Sequence, residues 1–248
     1  ATRTQLAVAN NLSKILYKQS SKTKYRNTEL EVYDSYYEGR QYAGMTPWLQ
    51  AVSKDNQYIP VHERAPLIQY RLGQIIVMRL ASKLMGSRTK PEIRVEDDPD
   101  TEAFLKAVVQ SSRLYANILE PIRRELAAGS VLVRFAVVNG QYKLEHFLGK
   151  WCYPEFDDNG NLVSCRIRYV YEDEQDLDSQ KNPKKKWFQM ELGIYADIMY
   201  DNPEAKEQQD PVFQETERVE HNLGFVQAEW LKPNEKPNSF DGDCLIEP

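Results

Sequence analysis

The chain has 248 residues, 41% hydrophobic and 28% charged, which is enough apolar material for a substantial core and too much for a disordered tail. Its formal net charge is −5, and no apolar run is long enough to cross a bilayer. This composition excludes a membrane-spanning class and argues against tight, sequence-independent wrapping of nucleic acid, which needs cations to neutralise phosphates. The balance is uneven: residues 1–30 carry six Lys or Arg against the single Glu29, leaving the remainder near −10. Arg3, followed by Asn10, Asn11 and Ser13, breaks up any signal-peptide core, so a cytoplasmic protein is expected.

In chain order, Leu6, Ala9, Leu12 and Leu16 fall at helical spacing with Lys14 and Lys18 opposite, predicting an amphipathic helix over residues 3–20. Ser20-Ser21-Lys22-Thr23-Lys24 reads as a basic, solvated loop, which makes 1–29 a basic N-terminal unit. An aromatic helix over residues 30–40 follows, carrying Tyr33, Tyr36 and Tyr37 and stopped by Gly39. The longest helical pattern spans residues 62–85, with Pro66 in its first turn and a stop at Gly86. Ile93-Arg94-Val95 is a short strand by composition. Asp98 before Pro99 then caps a helix reaching Ser111. A further helix over residues 114–128 is interrupted by Pro121 and ended by Gly129, closing a mainly helical part at 30–129.

After Gly129 the period switches from helical to alternating. Residues 131–138 and 141–147 flank Asn139-Gly140, a strong hairpin signal, and 151–156 and 162–171 flank Asp157-Asp158-Asn159-Gly160-Asn161. A polar loop is expected over 172–185. Strands at 186–200, 212–219 and 225–231 complete a β-rich part at 130–235, with 236–248 as a lead-in to a further element. The expected class is α+β, N-terminal helices followed by an antiparallel β meander.

No constellation for chemistry emerges. Asp157-Asp158-Asn159-Gly160-Asn161 lacks calcium-loop spacing, since Gly160 is fourth rather than sixth and position twelve is Arg168. His62, His146 and His221 are mutually distant. Cys152, Cys165 and Cys244 have no zinc or disulfide-framework spacing and read as reduced, mostly buried thiols. No serine-hydrolase elbow or phosphate-binding glycine loop is present. The weakly favoured enzyme alternative is a metal-dependent nuclease with Glu155, Asp157 and Glu172 around magnesium. Arg166-Ile167-Arg168-Tyr169-Val170-Tyr171 has the interleaving of a nucleic-acid-binding strand, but its alternation is that of an ordinary half-buried strand. No catalytic, metal or cofactor residue is therefore assigned.

Two further stretches carry a resemblance. Glu220-His221-Asn222-Leu223-Gly224-Phe225-Val226-Gln227, running on to Asp241-Gly242-Asp243-Cys244-Leu245, resembles the segment that precedes the stem helix in tailed-bacteriophage portal proteins. Gln227 stands where that pattern usually has Pro. Tyr36-Tyr37-Glu38-Gly39-Arg40 resembles an aromatic-glycine signature near the start of the same family, with Arg40-Gln41 in place of Asp-His. The resemblance implies a non-enzymatic wing portion of a homo-oligomeric ring, usually of twelve subunits, at a capsid vertex of the virion, assembled in host cytoplasm. It further implies a terminase large subunit, capsid and scaffolding proteins and head-completion adaptors as partners, with double-stranded DNA passing through the channel, no membrane and no cofactor. A missing stem helix would follow residue 248. Arg40, Trp48, His221 and Asn222 are the expected subunit or interdomain contacts. A small capsid or tail adaptor is the other alternative.

Overall fold

In a computed structural model, the structure describes residues 21–245 apart from Gly44, Gln69, 86–90, Asn139, Ser179, 206–210, 235–238 and Phe240. The helix expected over residues 3–20 and the stop at Gly86 lie outside the described residues. The class is α+β, with helices preceding strands, as the change of period after Gly129 implied.

Helix α1 spans Ser21–Glu38. It absorbs the segment expected to be a basic loop, because polarity marks solvation and nothing from 21 to 38 is a helix-breaking Pro or Gly. Leu30, Tyr33, Asp34 and Tyr37 are its buried stripe, at helical spacing. Helix α2 is Leu72–Leu84, and the expected first half of it is not helical. There a 3-10 turn, Val61–Glu63, leads to a stretch in which Ala65 N–H donates to the Thr46 carbonyl and Arg64 Nη2 to that of Ile59 at 2.7 Å. Ala65 also precedes Pro66, which disfavours helical backbone at that residue.

Helix α3, Pro99–Ser111, begins as expected: Asp98 Oδ1 accepts from Thr101 N–H at 2.9 Å and Pro99 sits in the first turn. Ile93-Arg94-Val95 belongs to neither sheet; Val95 N–H instead donates to Glu102. The expected 114–128 helix is divided into α4, Leu114–Asn117, and α5, Leu119–Ala128, the break falling at Ile118 just before Pro121. Gly129, at φ +83°, ends α5.

Among the described residues eight strands follow: β1 Val131–Val138, β2 Gln141–Leu148, β3 Cys152–Phe156, β4 Leu162–Leu177, β5 Pro183–Gly193, β6 Ala196–Tyr200, β7 Glu215–Glu220 and β8 Ala228–Leu231. Strands β3 to β7 form a five-stranded antiparallel meander in sequence order. The segment expected as its last rung does not join it: β8 returns to pair with β1, giving a three-stranded sheet β2-β1-β8. The reason is burial, since every residue of β7 is exposed whereas Trp230 on β8 is 6% exposed and registers with Leu132.

The expected loop at 172–185 is instead the distal half of a long β4–β5 hairpin. Acidic residues on one strand face basic residues on the other: Lys186 Nζ lies 2.9 Å from both Asp173 and Asp176, and Lys184 Nζ 2.8 Å from Asp176. The turn repeats a device used between β3 and β4. Asp157 Oδ1 accepts from the amides of Asn159 and Asn161, and Asp178 Oδ1 accepts from those of Gln180 and Asn182.

These elements stack in three layers. Leu132, Phe147 and Trp230 from the small sheet pack on Cys152, Cys165, Ile167, Met190 and Leu192 of the large one. The small sheet's other face, with Val131, Val133 and Leu144, packs on Leu114 and Ile118. Helices α1, α2 and α5 meet through Tyr37, Val77 and Ala127. Strand β1 is therefore covered on both faces, and the helix–sheet junction at Gly129 sits deep in the molecule.

Candidate functional site

The most tightly built polar site lies at this junction. Arg26 stands one helical turn before Leu30 on the inward stripe of α1. Its Nε lies 2.5 Å from Asp241 Oδ2 and its Nη2 2.8 Å from Oδ1, a bidentate pair with both side chains about nine-tenths buried. The same guanidinium donates to the carbonyls of Gly149 and Cys152 at 2.8 and 3.1 Å. Ser130 Oγ donates to Asp241 Oδ1 at 2.6 Å. One carboxylate thus ties α1, the start of β1, the β2–β3 connection and the 241–245 segment together.

Backbone groups complete the latch. A helix C-terminus leaves its last carbonyls without intrahelical donors. Here Gly242 N–H donates to the Gly129 carbonyl at 2.8 Å, Leu245 N–H to that of Leu126 at 3.0 Å, and the Cys244 thiol to that of Ala127. The approach is so close that a Cβ on Gly129 would stand 2.4 Å from the Gly242 oxygen, and one on Gly242 would stand 2.5 Å from the Asn234 oxygen.

An ion-pair ladder extends the junction along α1. Lys150 Nζ lies 2.6 Å from Glu31 and 2.7 Å from Asp34, and Arg124 contacts Glu38 at 3.1 Å, Asp34 at 3.5 Å and Glu120 at 2.9 Å. Burial works against the Lys150 charge, but the hydrogen bonds it donates to Asp34 and Glu31 outweigh it and hold its pKa above the ordinary range. Glu125 differs: burial alone raises its carboxyl pKa. Such a group contributes stability below its unfolded pKa, and that contribution is lost as pH rises through the folded value, because charging the half-buried carboxyl is costly. Glu125→Gln is expected to raise the melting temperature at pH 7, with the gain vanishing below the ordinary carboxylate range; equal gains at both pH values in thermal denaturation would contradict this.

A second polar cluster joins the two sheets. Arg134 on β1 lies 2.8 Å from Asp197 on β6 and 3.2 Å from Glu145 on β2. His221, following β7, points Nε2 toward Asp197 Oδ1 at 3.6 Å, while its Nδ1 accepts from Leu223 N–H. The His221 and Asn222 amides both donate to the Tyr195 carbonyl, with Asn222 at φ +50°. His221 therefore sits beside the Arg134–Asp197 link between the sheets, while Asn222 is exposed and held to the Tyr195 turn of the large sheet. The other two lie elsewhere: Arg40 is exposed beside Glu38, and Trp48 is 38% exposed, its carbonyl 3.4 Å from Arg64 Nη1.

The acidic trio weighed for magnesium is dispersed. Glu155 accepts from Ser164 at 2.8 Å, Asp157 organises its turn, and Glu172 is eight residues beyond Ser164 on β4, about 26 Å at ~3.3 Å per residue. Among the described residues, no group of three or more His, Cys, Asp or Glu side chains is placed to hold a metal ion. Arg166 pairs with Glu191 at 2.6 Å and Arg168 stacks over Trp187, while Ile167 is fully buried, the half-buried strand that alternation implied. His62 is exposed beside Glu63, and burial lowers the pKa of His146. Cys152 and Cys165 are buried free thiols, and burial pushes the Cys152 pKa well up. No helix among the described residues is long and apolar enough to cross a membrane.

Sequence reasoning singled out Asp241-Gly242 but not Arg26, Ser130 or Gly129 as its partners. The Arg26 contact spans 215 residues, and no local pattern encodes it. The chain matches no protein-family model and no curated protein.

Proposed function

We propose that this chain is the wing portion of a tailed-bacteriophage portal subunit, a structural part of a homo-oligomeric ring at the capsid vertex of the virion. In this role it frames a conduit for double-stranded DNA during packaging and ejection, and meets the terminase large subunit, the capsid and scaffolding proteins and the head-completion adaptors. It performs no catalysis; energy for packaging comes from the terminase.

The observation that carries this proposal is the latch. A buried polar network fixes the course of the chain at Asp241-Gly242, the stretch resembling the family's passage from wing to stem. Its carboxylate and guanidinium bond to each other, the carboxylate also to the Ser130 hydroxyl and the guanidinium to two backbone carbonyls, an arrangement suited to holding an angle. The earlier part of the same stretch, His221-Asn222, is held to the large sheet through the Tyr195 carbonyl and Asp197. The acidic body supports the same role, because a duplex slides past a surface that does not hold its phosphates.

Mass photometry of the full-length protein tests this. A dominant species near twelve subunits is expected. A protein that stays monomeric at every concentration, or that cleaves DNA when magnesium is added, would overturn it in favour of an adaptor or a nuclease.

A further inference from the structure

Helix α2 is apolar on two sides, and among the described residues only one side is covered. Val77 and Ala81 are fully buried against the other helices. On the opposite side Leu72, Ile75 and Ile76 are exposed by 61%, 47% and 48%, continuing at helical spacing into exposed Arg79 and Lys83. A helix apolar all round is one that packs on both sides. Among the described residues, Arg79 and Lys83 have no ion-pair partner, so the outward face is an apolar stripe with an unneutralised cationic end.

The large sheet offers a complementary surface. Strand β7 is its edge, and every residue of β7 is exposed. Glu215 pairs with Arg218; among the described residues Glu217 and Glu220 make no ion pair within 4 Å, Arg218 acting on Glu220 only at longer range, and Val219 on the Glu217 face is 49% exposed. An edge strand is a liability that proteins cover with a helix or crowd with charge. We propose that the outward face of α2 in one copy of this chain docks on strand β7 of the next, Arg79 and Lys83 meeting Glu217 and Glu220 around an apolar centre. Two different patches on one subunit make a heterologous contact, which propagates head to tail and closes into a ring when the rotation permits. This assignment rests on the ring proposed above and names the surfaces that build it.

Charge reversal in the full-length protein, read by mass photometry, tests it. Arg79→Glu with Lys83→Glu, and separately Glu217→Lys with Glu220→Lys, are each expected to weaken self-association at least tenfold. An equimolar mixture of the two variants restores every contact in a ring of alternating copies, so rings are expected to reappear, which also shows that both variants are folded. Rings from either variant alone at wild-type concentrations would overturn the docking assignment while leaving the ring itself intact. Loss of rings without rescue on mixing would overturn it too, showing that the two patches do not meet each other. A wild-type protein that forms no ring would instead remove the reading on which the assignment rests.

Discussion

Asp241→Ala is expected to cost the protein about 3–5 kcal/mol of unfolding free energy, the usual range when one partner of a buried ion pair is removed and the other charge is stranded. Arg26 would keep its bonds to the Gly149 and Cys152 carbonyls but lose its bidentate carboxylate, and Ser130 would lose its acceptor. Ser130→Ala removes a single hydrogen bond and should cost about 1 kcal/mol. Because both changes act on one network, the double variant should cost less than the sum of the two. Urea denaturation followed by circular dichroism measures all three. A cost below 1 kcal/mol for Asp241→Ala would show that the 241–245 segment does not bind the junction together.

Gly129→Ala is expected to be destabilising by about 3 kcal/mol, whereas Gly140→Ala costs about 1. Both glycines have left-handed backbone, at φ +83° and +76°, so both substitutions carry the same conformational penalty. They differ in what surrounds them. An added Cβ at Gly129 meets the Gly242 oxygen at 2.4 Å, a backbone atom that moves only if the latch opens, while at Gly140 nothing lies within 4 Å. Equal costs for the two variants, measured by the same denaturation, would mean that the close passage of the two chains is not a constraint on the fold.

What the sequence disclosed was local. Asp98-Pro99 announced a helix start, Gly129 a stop and Asn139-Gly140 a hairpin, because capping and turn chemistry act over a few residues. The features it concealed depend on residues far apart in the chain. The return of β8 to β1 is decided by which apolar residues fit between the two sheets, and the Arg26–Asp241 pair joins the described chain nearly end to end. The β4–β5 arm was hidden for another reason. Its charges read as a solvated loop, although the acidic run 172–178 followed by the basic run 184–186 is the pattern of a hairpin held by cross-strand ion pairs. The repeated Asp-x-x-x-Asn turn, at 157–161 and again at 178–182, was the available signal for it. Of the site, Asp241-Gly242 and His221-Asn222 stood out through resemblance, whereas their partners became visible only in three dimensions.

The central claim is that this chain builds a ring around a DNA conduit, and negative-stain electron microscopy of the full-length protein with class averaging tests it most directly. End-on averages should show a closed ring of identical subunits with an axial hole wide enough for duplex DNA. Compact monomers or dimers without a hole, from material confirmed as full length, would contradict it.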